Sequence, residues 1–304
     1  WIPLEDDVTA EAPSPPPTQK AIFGYGTTGS NVSLTNLVSS SGVVAADVTG
    51  VGTARSLLAA AGYGGDKAIF GYGNSGSRVS ISNLVNNSGV VAADVTGVGT
   101  ARDELAAATY GTDKAIFGYG NTGSSSSLTN LVSNSGVVAA DTTGVGTARW
   151  SLAATGYGTD KAIFGYGYDG SSRVSMTNLV NSSGVVATDV TGVGTVRNAL
   201  AAASYGGDKA IFAYGTTDSA NVSISNLVNN SGVVASDVTG VGTARGGLAA
   251  ASYGGDKAIF AYGTTGSNVS MSNLVSNSGV IAADVSGVGT ARRTIAAAGF
   301  STSA

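Results

Sequence analysis

One seven-residue phrase, Lys67-Ala-Ile-Phe-Gly-Tyr-Gly73, returns almost letter for letter from Lys20, Lys114, Lys161, Lys209 and Lys257, with starts 47 or 48 residues apart. A period of that length is the mark of a stacked or radial array whose units cannot each bury a core alone. The 304 residues are therefore read as one cooperative repeat body, residues 20–304, behind a short leader, residues 1–19.

Each unit holds four short stretches with strand character, separated by glycine and asparagine turns. In the second they span 57–63, 67–72, 79–85 and 89–95. Four strands per unit predicts the blade of a β-propeller, so the expected fold class is all-β, a closed six-bladed propeller of four-stranded blades. The chain ends carry the argument for closure. The first unit lacks the strand that opens the others, and the chain finishes on Arg292-Arg-Thr-Ile-Ala-Ala-Ala-Gly-Phe300, which is that strand. It is expected to pair with residues 20–26 and complete the first blade, which removes the sheet edges an open array would expose.

Composition excludes many chemistries. Cysteine and histidine are both absent, so disulfides, thiol nucleophiles, zinc-finger patterns and imidazole bases are all unavailable to the chain. Apolar residues make up 42% and charged residues 11%, too hydrophobic for a disordered chain, so the 46 glycines are read as turns. The net charge of -4 comes from Glu5, Asp6, Asp7 and Glu11 in the leader; setting those four aside from 19 acids leaves 15 against 15 bases. A neutral body offers no basic face for nucleic acid. No apolar run approaches the roughly 18 residues of a spanning helix, so no membrane span is expected.

All five prolines, Pro3, Pro13, Pro15, Pro16 and Pro17, lie in the leader, which predicts an extended arm. As a linker it would only tether; as a docking arm its apolar anchor would be Trp1, Ile2 and Leu4. The chain opens on Trp1 and not on Met, which fits a processed or trimmed product and leaves a removed targeting segment open.

Arg55 leading into Leu-Leu-Ala-Ala-Ala-Gly-Tyr-Gly-Gly-Asp-Lys-Ala-Ile-Phe-Gly-Tyr-Gly resembles the kelch repeat, whose blades also run from an Arg-led strand into an apolar strand ending in glycines. The usual Gly-Gly pair and blade tryptophan are missing. A more specific resemblance is to KAIFGYG tandem repeats similar to those in virion proteins of tailed phages of aquatic bacteria. It implies a structural or host-contact role on a virion, with other virion proteins held through the arm or the repetitive face and a host glycan or protein as a possible further partner.

Six arginines (Arg55, Arg102, Arg149, Arg197, Arg245, Arg292) and six aspartates (Asp47, Asp94, Asp141, Asp189, Asp237, Asp284) occur once per unit. They read as a framework ion pair in each blade in preference to a ring of charge along an axis. Asp103 and Glu104 stand side by side in one unit only, point to opposite faces of a strand, and are read as a solvated loop. The Gly-Asp-Lys turns supply one carboxylate each, too few for a calcium loop. No metal, cofactor or catalytic set is expected, and the chain is not read as an enzyme.

Variation among the units concentrates after Gly-Tyr-Gly and after the framework arginine, two places that emerge on one face of a four-stranded blade. That variable face offers Trp150, Tyr168, Asp169, Arg78, Arg173 and Arg293 as candidate ligand-binding residues, among many hydroxyls and amides. The expectation is a non-enzymatic virion structural or host-contact protein; the alternative is a multivalent carbohydrate-binding propeller lectin, extracellular in place of virion-borne. Trp150 is the foremost candidate.

Overall fold

Each Lys-Ala-Ile-Phe stretch is apolar on both faces, as a strand covered from two sides requires. The computed structural model describes residues 19–302 and contains strands and no helix among them. The first sheet joins β1 (Gln19–Gly24) and β2 (Thr35–Val38) to the last strand, β18 (Ala296–Ser301), in the order β18-β1-β2. The next two are β3 (Ala59–Tyr63), β4 (Lys67–Gly71) and β5 (Ser82–Val85), then β6 (Ala106–Tyr110), β7 (Lys114–Asn121) and β8 (Ser125–Val132). The fourth is β9 (Ala153–Tyr157), β10 (Lys161–Gly165) and β11 (Thr177–Val180). The last two are β12 (Ala201–Tyr205), β13 (Lys209–Ala213) and β14 (Ser225–Val228), then β15 (Ala249–Tyr253), β16 (Lys257–Ala261) and β17 (Ser272–Val275). All six sheets are antiparallel, with the Lys-Ala-Ile-Phe strand in the middle.

The C-terminal strand therefore does what its sequence implies: Ala298 faces Ile22 and Ala296 faces Gly24. The fourth strand of each unit does not form. The backbone of residues 89–95 pairs with β5 through isolated bridges, Val85 with Val91 and Ser82 with Val95, and forms no continuous ladder, so the sheets have three strands where four were expected. The reason lies in the side chains at the third strand. Asn83 donates Nδ2 to the Ala92 carbonyl at 3.0 Å and to Asp94 at 2.9 Å, so a side chain takes a carbonyl that a regular ladder would use.

The strands β3, β6, β9, β12, β15 and β18 touch one another in that order, and β18 touches β3. They enclose a narrow cavity of about 90 Å³ lined by alanine, glycine and small hydroxyl residues. Small side chains are what allow six strands to approach this closely. Between neighbouring sheets, a phenylalanine from one covers the glycine of the next. A Cβ on Gly71 would sit 2.6 Å from the Phe117 ring. Two sheets carry alanine there, Ala213 and Ala261, and the adjoining Tyr–Phe centroid distances widen to 5.5 and 5.4 Å against 5.1–5.2 Å elsewhere. The extra methyl is absorbed by a shift of a few tenths of an ångström.

Three circuits of backbone hydrogen bonds run from sheet to sheet and return to their start. At one end Leu57, Glu104, Ser151, Ala199, Gly247 and Thr294 each donate to the preceding member, and Leu57 donates to Thr294, over 2.7–3.0 Å. All six have φ between 50° and 62°. Five are not glycine, and the strain of that left-handed backbone is offset by the circuit, in which each N–H and C=O finds a partner. A second circuit joins Gly26 to Arg55, Gly73 to Arg102, and so on to Gly263 with Arg292. The third, at the opposite end, joins Gly64 to Asp113 and continues until Gly254 donates to Gln19 and Ser301 to Asp66.

Candidate functional site

The framework arginines are the largest fully buried side chains, and each stitches two sheets. Arg55 donates Nε to the Tyr72 carbonyl at 2.8 Å, Nη1 to the Thr53 carbonyl at 3.1 Å and Nη2 to Asn83 Oδ1 at 2.7 Å. Its guanidinium lies 4.4 Å from the ring centroid of Tyr25, which belongs to the neighbouring sheet. Asp94 stands 3.9 Å away and accepts from the Thr53 hydroxyl at 2.6 Å. The same set recurs at all six positions, Arg292 closing it over Tyr262 with Asp47 at 3.7 Å. Burial pushes the Tyr25 hydroxyl up to about 12, with Arg55 opposing. Burial alone would raise the Asp94 carboxyl, but hydrogen bonds from Thr53 and Asn83 outweigh it and hold it below the ordinary range. These arginines lie between sheets, so the framework reading fits and the axial ring of charge does not. The tyrosine platform is not evident in the sequence, where Gly-Tyr-Gly reads only as a strand end; in the structure Tyr25 and its five counterparts leave the strand with φ near 65°.

Asp103 and Glu104 are not a solvated loop. Asp103 is 3% exposed and accepts from Arg78 Nε at 3.0 Å and Asn74 Nδ2 at 2.9 Å. Glu104 sits in the left-handed circuit and accepts from the Ser151 hydroxyl; burial raises its carboxyl, with Ser151 opposing. The φ of 54° at Glu104 breaks the strand alternation on which the loop reading rested.

The two variable places do meet. Trp150 and Tyr168 form an antiparallel bridge, with N–H to O distances of 3.0 and 2.9 Å, and their rings meet edge to face at 5.2 Å and 79°. Asp169 follows, its carboxylate accepting the Ser171 and Ser172 amides at 2.7 and 2.8 Å. Those amides, Ser172 foremost, hold it below the ordinary carboxylate range. Trp150, Tyr168 and Asp169 line one groove of about 560 Å³ together with Asn121, Ser124 and Ser125.

The groove has an identifiable cause. At the other five sheet boundaries an asparagine or arginine reaches across: Asn31 to the Asn74 carbonyl, Arg78 to Asp103, Arg173 to Asn198 and Asp218, Asn221 to the Thr264 carbonyl, and Asn268 to the Thr27 carbonyl. At the boundary between the third and fourth sheets that position is Ser125, whose short hydroxyl reaches only the Asp169 carbonyl at 3.0 Å. Arg78 and Arg173 are thus boundary struts at other seams, and Arg293 lies exposed where the last sheet meets the first, its backbone paired with Thr27. The anchor residues Trp1, Ile2 and Leu4 lie outside the described residues. Asn121, Ser124 and Ser125 were not singled out from sequence, because the decisive feature is a missing long side chain within a run of serines.

Around the groove, the Trp150 Nε1, the Tyr168 hydroxyl, the Asn121 Nδ2 and the Ser124 hydroxyl make no hydrogen bond among the described residues, whereas Asn121 Oδ1 accepts the Gly123 amide at 2.8 Å. Among the described residues no cluster of acids has the makings of a metal site, and no helix is long and apolar enough to cross a membrane. The chain matches no protein-family model and no curated protein sequence, so the kelch-like and virion-repeat resemblances rest on the repeat residues themselves.

Proposed function

We propose that the six sheets are the blades of a closed six-bladed β-propeller, the first completed by β18, and that the protein is a non-enzymatic virion structural or host-contact protein. The three returning hydrogen-bond circuits and the six arginine stitches support closure. The observation that carries a contact role is the groove at Trp150: five boundaries are filled by struts, and one is open, aromatic and lined with polar groups that have no partner among the described residues. Binding function sits on loops held by a rigid scaffold, and the groove has that form.

The opposite face supports attachment to other virion proteins. Its turns present one valine per sheet, Val43, Val90, Val137, Val185, Val233 and Val280, each 61–65% exposed. A sixfold apolar repeat set beside the charge-balanced Asp–Lys pairs of the neighbouring turns suits a fixed structural neighbour. The virion assignment itself draws on the KAIFGYG resemblance. A lectin with six equivalent sites is less well supported, since Trp150 and Tyr168 each stand at one boundary only. Mass spectrometry of purified phage particles is the test: KAIFGYG peptides at high copy would support the reading, and their absence from particles of a phage that encodes the chain would sink it.

A further inference from the structure

We infer that the groove between the third and fourth sheets binds one neutral saccharide unit per chain. This rests on the reading of the variable face as the contact face and names the ligand class it takes. The edge-to-face contact of Trp150 with Tyr168 covers at most one face of either ring, which leaves flat apolar area for the C–H face of a pyranose. Among the described residues the indole N–H, the Tyr168 and Ser124 hydroxyls and the Asn121 Nδ2 are uncommitted groups set around that area, suited to a ring of sugar hydroxyls. A volume of about 560 Å³ accommodates a mono- or disaccharide and is too short for an extended glycan chain to be enclosed.

Charge selects among sugars. Asp169 places a carboxylate at the groove wall, and no lysine or arginine lines it. Two of the candidate arginines are engaged at other seams, Arg173 with Asn198 and Asp218, and Arg78 with Asp103. A sialic or uronic acid would meet uncompensated negative charge, whereas a hexose or N-acetylhexosamine would not. The other seams are filled by their struts, so the stoichiometry is one.

The chain holds two tryptophans, so a Trp1→Phe background makes Trp150 the sole indole reporter. Titration of that protein with methyl hexosides, N-acetylglucosamine, N-acetylgalactosamine, sialic acid and glucuronic acid should give a saturable fluorescence change with at least one neutral sugar, with a dissociation constant on the order of millimolar. Acidic sugars should bind at least about tenfold more weakly. Ser125→Asn, which installs the strut found at other seams, should abolish binding at unchanged melting temperature; in protein with Trp150 retained it is the cleanest variant. Binding by Trp150→Ala, followed by ligand-observed NMR, should fall at least about tenfold. No response to any neutral sugar, equal binding of acidic sugars, or full binding by Ser125→Asn would each overturn the assignment. Loss of host-cell adsorption in Trp150→Ala without any sugar response would leave the contact face standing and transfer its ligand to protein.

Discussion

Replacing Arg292 by methionine probes the seam where the two ends of the chain meet. Arg292 has no solvent exposure and donates to the Tyr25 carbonyl at 2.9 Å, the Thr290 carbonyl at 3.1 Å and Asn36 Oδ1 at 2.6 Å. Methionine fills much of the volume but leaves Asn36 Oδ1 buried without its donor and Asp47 without its cation. Removal of one partner from such a set costs about 3–5 kcal/mol. With an unfolding entropy of about 2 cal/mol/K for each residue in the 19–302 body, that corresponds to a fall in Tm of roughly 5–8 °C. Arg149 makes the same contacts inside the chain, to Tyr166, Thr147 and Asn178. Differential scanning calorimetry of both variants should therefore show equal losses. A large loss for Arg149→Met with none for Arg292→Met would refute the view that the terminal seam is built like the other five.

Acid and base should act on separate parts of the framework. The six aspartates are held below their ordinary range in the folded state, so their contribution is complete above about pH 4 and is lost as pH falls through the lowered values; Tm against pH should drop there, less steeply in Asp141→Asn. The six platform tyrosines, raised from 10 to about 12, stabilise fully below pH 10 and cease to do so as pH rises through 12. Tyrosinate absorbance should show six of the 12 tyrosines ionising late and together with unfolding, and six early ionisations beyond those of the remainder would contradict this. Gly71→Ala should cost about 1 kcal/mol or less by chemical denaturation, because Ala213 and Ala261 show how the facing phenylalanine yields; a cost several times larger would mean the sheets cannot shift.

The period and the orphan strand at the C-terminus made the sheet repeat and the first-with-last pairing readable, because both depend on apolar patterning that recurs six times. The fourth strand was misread for a local reason: Gly-Val-Val-Ala-Ala-Asp-Val has strand composition, yet Asn83 and its counterparts capture its carbonyl and its aspartate. Trp150 and Tyr168 were legible as one-off aromatics in a repetitive chain. The groove beside them was not, since Ser125 matters by being shorter than the side chains at the other seams, and only the struts at Asn31, Arg78, Arg173, Asn221 and Asn268 reveal what is absent. Asp103 was misjudged because its partner Arg78 lies in the preceding unit, a contact that spacing along the chain does not display.

Both the groove and its stoichiometry depend on a scaffold whose backbone circuits close at every seam, and amide hydrogen exchange reads that directly. Leu57 donates across the terminal seam to Thr294, and Glu104 donates within the chain to Leu57, in bonds of 3.0 and 2.8 Å. A closed ring predicts equal protection for the Leu57 and Glu104 amides, at the level of global unfolding. Fast exchange at Leu57 beside slow exchange at Glu104 would show that the ring opens between its first and last strands.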